Sequence, residues 1–551
     1  MRAAIFGFLM MATGVQAASL QLCPHTEEAE GTAAAELVRP DGTRMRLLAG
    51  ADPVPGCSRV ELPVPADAIA AIHPLSSSAA QALGERILLQ GPERDGKFNI
   101  GSATGSGGPA APERAQPMPM LENLLRTLKP RVFGVEERVQ VRLDGGRLHL
   151  QCRPGSLPAG VILAAPWYLP LARMELKLQA DASGRFEVSM ADAAGAAKES
   201  ALRLGTIGAG RQAIALPHTG FDRAGWRSFS IACPPHAAEL VLEDLRLAPQ
   251  ASQPAPRSAW VWDAKAWLAQ PEAVLAQAAE KGVRTLFVSV PVSGDAVQDP
   301  QALAAFVRRA HAAGVAVWSV DGDPRMVLPD EHAKTVARAR AYAAYNAGVE
   351  PAARLAGMQF DIEHYLLPGY ELSASELDRH YTALARALQR AAQGLPLEFV
   401  VPFWWAGKAE LMKGLAAAAS AVNVMNYRTD PEQIRRFAVP FLDWGTVHGK
   451  KVRIALEAGP VDAEQQRRYA RAQEGELWLV RVEQTPVLVL LKEARRNPLG
   501  PAFRLESQSV FDGSATSFHR DPSRLLNLLP ELESVFAAWP AFSGIALHEL
   551  K

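Results

Sequence analysis

Gly357-Met-Gln-Phe-Asp-Ile-Glu-His-Tyr365 reads as a buried strand that ends in two carboxylates. Side chains alternate along a strand, so Met358, Phe360 and Ile362 share one face and Gln359, Asp361 and Glu363 share the other. An apolar face covered by helices and a polar face ending in two acids suits one strand of a (β/α)8 barrel, where chemistry sits at the C-terminal strand ends. Each carboxylate raises the pKa of its neighbour, so one of the two can hold a proton near neutral pH. The competing reading is a helix N-cap Asp beside a surface Glu.

Working outward, the C-terminal half repeats a strand–helix pattern. Eight strands are predicted: Ala259 to Asp263, Thr285 to Val290, Val315 to Asp321, Met358 to Glu363, Glu398 to Trp404, Val422 to Tyr427, Val452 to Glu457 and Gly544 to Glu549. Ala-rich helical stretches such as Pro300 to Ala313 and Ser375 to Ala392 separate most of them. The expectation is a (β/α)8 TIM barrel over 258–551 with an insertion at about 461–523. That insertion follows strand seven, is far longer than an ordinary βα loop and falls on the functional face, where a lid or substrate wall belongs.

The N-terminal half reads as β. Residues 19–102 form a small β-rich unit with turns such as Pro40-Asp-Gly42, and 103–117 are a linker rich in Gly, Pro and Ser. A short helix is predicted at Met120 to Leu128. Within 118–248, Arg138 to Arg142, Arg147 to Gln151, Met174 to Gln179, Phe186 to Ser189, Trp226 to Ile231 and Glu239 to Leu245 alternate as antiparallel strands of a sandwich or jelly roll, a module that binds carbohydrate or acts as a spacer. Residues 249–257 form a second linker. The fold class is therefore multidomain: N-terminal β-rich modules, then an α/β barrel.

The chain has 551 residues, with 58 Lys and Arg balancing 58 Asp and Glu. That balance gives no reason to expect nucleic acid or an anionic membrane as partner. Arg2, the apolar run Ala3 to Met11 and the small-residue site Val15-Gln-Ala17 read as a signal peptide over 1–18, which implies a periplasmic or secreted protein. No later segment is apolar for long enough to span a bilayer. An exported chain with four cysteines should form disulfides, and Cys23–Cys57 with Cys152–Cys233 keeps each pair inside one expected module. No HExxH, CxxC or Asp-His-His spacing occurs, so no metal or cofactor is expected.

Phe360-Asp-Ile-Glu363 resembles the end of the DxxDxDxE signature on strand four of chitinase-like family 18 glycoside hydrolases. The resemblance implies that Glu363 is the general acid and that Asp361 helps a substrate acetamido group attack. Met425-Asn-Tyr427 resembles that family's Met-x-Tyr on strand six. Gln359 and Ala356 stand where the earlier acids would be, and His548 stands where strand eight usually ends in Trp. The strand ends Asp361-Ile-Glu363, Met425-Asn-Tyr-Arg428, Ala455-Leu-Glu457 and Ala546-Leu-His548, with Thr516-Ser-Phe-His519, also resemble a broader group of exported glycosyl hydrolases. The partner implied is a polysaccharide or oligosaccharide.

Two mechanisms fit these residues. In one, Glu363 protonates the leaving oxygen while Asp361 and Tyr427 position the substrate's own acetamido nucleophile. In the other, Glu363 is the acid/base and Glu457 the nucleophile, held ionised by Arg453 on the same inward face. A carboxyl separation of about 5 Å fits retention and one of about 7–9 Å fits inversion. Trp262, Asp321, Tyr365, Trp404, Asn423, Arg428, Arg453 and His548 are the candidate substrate-binding residues, the aromatic ones because sugar C–H faces stack on rings. The alternative to a hydrolase is an inactive barrel that serves as a carbohydrate-binding or exopolysaccharide-assembly scaffold.

Overall fold

A computed structural model describes residues 17–24, 33–38, 43–50, 54–75, 80, 85–92, 99–102, 116–164, 167–192, 202–217, 226–367, 370–461, 463–548 and 550. The apolar run Ala3 to Met11 expected to be part of a signal peptide, the Pro40-Asp-Gly42 turn and nearly all of the expected 103–117 linker lie outside them.

Eight parallel strands close into a barrel in sequence order: β1 (Arg257–Val261), β2 (Val283–Ser289), β3 (Ala316–Asp321), β4 (Gly357–Phe360), β5 (Leu397–Pro402), β6 (Ala421–Met425), β7 (Lys451–Leu456) and β8 (Phe542–Leu547). Helices occupy the connections: α1 (Ala264–Ala269) and α2 (Pro271–Glu280), then α3 (Pro300–Ala312), α4 (Pro329–Gly348), α5 (Tyr370–Ala391), α6 (Ala409–Ala418), α7 (Pro431–His448) and α8 (Pro522–Phe536). Each predicted barrel strand forms, and most end a residue or two early. β4 ends at Phe360 because the chain turns there. The Asp361 N–H still bonds to the Asp321 carbonyl at 2.8 Å, but Glu363 (φ −85°, ψ 60°) already opens a 3-10 turn over His364–Leu366.

Strand alternation sorts the barrel residues into two packing layers. Met358, Phe360, Phe399, Val401, Val422, Val424, Ile454, Leu456, Ile545 and Leu547 face outward and join the core beneath the helices. Trp260, Phe287, Trp318, Val320, Val400, Met425, Ala455 and Ala546 form a separate cluster inside the barrel. Large and small residues fill the lumen together, so the barrel is packed rather than hollow. Gly357 belongs to this fit: a Cβ there would lie 2.3 Å from a ring carbon of Trp318.

Residues 129–249 supply two five-stranded antiparallel sheets, each holding five of the strands from this region. Leu148, Leu150, Leu176, Leu178, Leu240 and Leu242 on one sheet pack in the same core as Val161, Leu163, Val188, Phe229 and Ile231 on the other. Cys152, in a strand of the first sheet, is bonded to Cys233, just past a strand of the second. The expected Met120–Leu128 helix is only a 3-10 turn over Leu124–Arg126. Leu121 sits at φ 66°, a left-handed conformation that no α-helix continues through. The sandwich docks on the barrel where Asp443 of α7 accepts from Leu171 N and from Trp539 Nε1, both at 2.7 Å.

The N-terminal residues and the insertion interleave. Ala17–Pro24, Ala33–Val38, Arg44–Gly50 and Ser58–Pro65 make a four-stranded sheet, and Cys23 is bonded to Cys57 at its edge. The neighbouring seven-stranded sheet runs in the order Ile69–Pro74, Thr485–Arg496, Glu474–Val482, Ala502–Phe511, Glu464–Ala472, Arg86–Pro92, Asn99–Ser102. The insertion after β7 thus lies between strands that precede it by some four hundred residues. The two sheets share one core of Leu20, Leu47 and Leu62 with Trp478, Val480 and Val487. Arg44 reaches Asp330 in the first turn of α4 at 3.0 Å, so this β unit is anchored to the barrel both at α4 and at the end of β7. Among the described residues, no helix is long and apolar enough to cross a membrane.

Candidate active site

The inward face of the barrel carries two polar layers. The deeper one begins with Gln359, whose amide accepts from Trp260 Nε1 at 2.6 Å and donates to Glu398 at 2.7 Å. Glu398 is fully buried and pairs with Arg453 Nε at 3.1 Å. Arg453 also donates to the Ser543 carbonyl at 2.9 Å, and its guanidinium lies 5.6 Å from the centre of the Phe287 ring. Asn423 shares this depth, fully buried, with neither side-chain polar atom hydrogen-bonded. Arg453 therefore does not hold Glu457 as the sequence suggested. It stands four residues earlier on the strand, about 13 Å deeper, and is committed to Glu398.

The upper layer lies at the strand ends and gathers Asp361, Glu363, Tyr365, Tyr427, Glu457 and His548. Burial, reinforced by the Glu363 charge, pushes the Asp361 carboxyl well above the usual carboxylate range. Its Oδ1 is buried without a hydrogen-bond partner. Burial also raises Glu363, and two effects oppose that rise: the hydrogen bond donated by Tyr365 OH and the nearby charge of His548. At Glu457 burial likewise disfavours the anion, but it is outweighed. The bond and charge of His548, with the N–H groups of Gly459 and Ala458, hold this carboxyl below its ordinary value. His548 Nδ1 contacts Glu457 Oε2 directly, and the Gly459 N–H donates to Oε1.

Tyr427 stands among the three acids. Burial and then Asp361, Glu457 and Glu363 push its hydroxyl well above the ordinary tyrosine value, so it stays protonated and able to donate. Its ring centre is 5.7 Å from that of His548, whose ring lies 6.1 Å from Trp260 below. Trp262 packs on the lumen cluster beside Gly322, whose missing Cβ would fall 2.8 Å from the Asp361 carbonyl oxygen. Trp404 forms the rim: it is 40% exposed, and its ring meets Tyr365 edge-on at 5.2 Å, while Trp405 is fully buried.

Two predicted binding residues point elsewhere. Asp321 faces the helix layer, where Arg338 Nε donates to it at 2.9 Å and Tyr342 OH at 2.5 Å. Arg428 lies with its guanidinium 4.4 Å from the Phe403 ring centre and donates to the Tyr427 carbonyl at 2.6 Å. With Asn423 and Arg453 one layer down, the structure does not bring these four to the strand-end cluster.

Further residues support the cluster from behind. His364, fully buried, bonds through Nε2 to Asp378 at 2.8 Å, and Lys408 clamps Asp378 at 2.6 Å while donating to Tyr370 OH at 2.6 Å. This chain pins the turn that carries Glu363 and Tyr365. Its members come from a turn and two helices, so local spacing carries no signal. On the other side, Ser517 Oγ donates to the Gly459 carbonyl at 2.6 Å and the Phe518 N–H to the Glu457 carbonyl at 2.9 Å, fixing the loop that caps Glu457. The Thr516-Ser-Phe-His519 stretch was the one signal for this support. Among the described residues, no group of three or more His, Cys, Asp or Glu is placed to hold a metal ion.

No protein-family model matches the chain, and no curated protein matches it. Solved structures that resemble it include the Clostridium thermocellum endo-1,4-β-D-xylanase 10B modules CBM22-1 and GH10 complexed with xylohexaose, at 9% identity, 62% coverage of this chain, 83% of that chain and a TM-score of 0.27. A family 29 carbohydrate-binding module matches at 10% identity over 24% of this chain and 86% of its own, with a TM-score of 0.19. A mutant family 29 module complexed with cellulohexaose matches at 11% over 24% and 92%, also with a TM-score of 0.19. TM-scores of this size establish no common fold over the chain. The similarity to family 18 chitinases expected from Asp361 and Glu363 is not shown by these comparisons.

Proposed function

We propose that this chain is an exported glycoside hydrolase that cleaves a polysaccharide or cell-envelope glycan at the C-terminal end of a (β/α)8 barrel. The observation that carries the reading is the opposite displacement of two carboxyls in one cluster: Glu363 is raised and Glu457 is lowered. Acid and base roles separate where environments drive two titrating groups apart.

Glu363 gives its proton to the glycosidic oxygen as the bond to the anomeric carbon breaks. The Glu457 carboxylate attacks that carbon and forms a glycosyl ester. Glu363, now ionised, takes a proton from water, and the water oxygen displaces Glu457. Tyr427, kept protonated, donates to the oxygen that carries developing charge. Trp404 and Tyr365 offer ring faces and edges to the sugar at the rim.

A second reading is favoured by one specific feature, the buried, unpartnered Oδ1 of Asp361. A substrate acetamido N–H would satisfy that atom, and the acetamido oxygen would then replace Glu457 as nucleophile. The two routes separate on a pair of variants. Under the Glu457 route, Glu457→Gln lowers kcat by about 10³-fold or more, and a slow substrate leaves a covalent glycosyl mass on the Glu457 peptide. If Glu457→Gln turns over normally while Asp361→Asn is crippled, the Glu457 route fails.

A further inference from the structure

A cleft lies away from the barrel mouth. It has a volume of about 1050 Å3 and lies on the outer face of one sandwich sheet, walled by the 122–127 turn. Along Met174–Ala182, Leu176, Leu178 and Ala180 point into the sandwich core, which turns Lys177 and Gln179 outward onto the cleft floor. Arg211, from the neighbouring strand Gly210–Ala215, extends that floor. The pairing of Met174–Ala182 with Ala238–Pro249 slips between Gln179 and Ala180, a bulge that bends the sheet beneath the cleft. The wall is fixed by Asn123, whose Oδ1 caps Leu125 N at 3.1 Å and whose Nδ2 donates to the Gly146 carbonyl at 3.1 Å.

Three features of this cleft point to a ligand. Gln179 Oε1 is buried in its lining with no hydrogen-bond partner. Arg126 and Arg211 are exposed on opposite sides of it, and neither has an acidic partner among the described residues, whereas Arg246 is already held by Asp244 at 2.7 Å. No aromatic residue lines the cleft, so recognition there rests on hydrogen bonds and charge rather than on ring stacking. The lining also carries Glu122 and Glu243, so it is the two guanidiniums without acidic partners, rather than the net charge of the cleft, that match a chain with carboxylates at intervals and hydroxyls between them. We infer that this cleft binds a carboxylated polysaccharide, a polymer containing uronic acid residues. The wall residue Glu122 feels Glu432 and Arg435 in the first turns of α7, the helix that begins just after Tyr427 and Arg428. The cleft thus borders the start of α7. The inference concerns binding alone and does not require the barrel to be a hydrolase.

The test is affinity electrophoresis of the full-length chain and of the Arg126→Ala/Arg211→Ala double variant in gels containing polygalacturonate, alginate or neutral dextran. Both arginines are exposed, so the double variant should keep its melting temperature. The expected result is retardation of the unaltered chain by at least one uronate polymer but not by dextran. The double variant should show a loss of at least tenfold in apparent affinity, and added salt should weaken the binding. No retardation by either uronate polymer, equal retardation by dextran, or undiminished retardation of the double variant would each overturn the inference.

Discussion

Arg453→Met is the perturbation whose outcome the structure fixes most closely. The wild-type guanidinium sits at the bottom of the barrel, 9% exposed, with Nε 3.1 Å from Glu398 and Nη1 2.9 Å from the Ser543 carbonyl. Met replaces its volume but not its charge or donors. Glu398 is then left fully buried with one remaining bond, from Gln359 at 2.7 Å. Removing one partner of a buried pair costs about 3–5 kcal/mol, most of it the penalty on the abandoned charge. Replacing both partners in Arg453→Met/Glu398→Leu should restore most of that, because two apolar groups leave no charge to solvate. Urea unfolding followed by tryptophan fluorescence is the assay, since Trp260 and Trp318 pack in the lumen beside the pair. A loss under about 1 kcal/mol for the single variant, or a double variant as unstable as the sum of both singles, would show that Arg453 and Glu398 are not a coupled buried pair. It would also reopen Arg453 as a partner of Glu457.

Three further outcomes follow from the geometry. His548→Gln removes the charge that holds Glu457 low, so the Glu457 pKa rises. A lowered carboxyl contributes stability that is present above its unfolded value of about 4.3 and is lost as pH falls through the folded value. The variant should therefore lose both activity and stability at a higher pH than wild type on the acid side, read from a pH–rate profile and acid unfolding. Asp361 and Glu363 have the opposite sign: raised in the fold, they erode stability as pH climbs from about 4 through their folded values, so Asp361→Asn should gain stability at alkaline pH in the same unfolding assay. Cys152→Ala/Cys233→Ala frees a crosslink with a sequence separation of 81 and should cost about 2–5 kcal/mol in sandwich stability by denaturant unfolding, with added reductant having little further effect on that module.

The barrel was legible because each strand is a short apolar or β-branched run and alternation alone fixes which side faces in. That rule placed Asp361, Tyr427 and Glu457 inward, and it also could have placed Asp321 outward, since Trp318 and Val320 fill the lumen on the same strand. Both cysteine pairings formed as expected. What the sequence hid is non-local. Strands from 69–102 and 464–511 share one sheet, and no periodicity within either segment encodes a partner so distant. The partners of Arg453 and His364 likewise depend on depth and on helix packing, which spacing along one strand does not report. The turn after Phe360 changes the path of Glu363, so strand parity alone gave its neighbours for an incomplete reason.

Glu363 is proposed to deliver the proton that breaks a glycosidic bond. The most direct measurement is reducing-end release, with product masses, from a panel of bacterial polysaccharides incubated with purified protein and with Glu363→Gln. The expected result is release by the unaltered chain that falls by several orders of magnitude in the folded variant, with masses that identify the sugar. Release that persists at near-wild-type rate in Glu363→Gln would contradict it, and no release from any glycan by a protein that still binds one would assign the barrel a scaffold role.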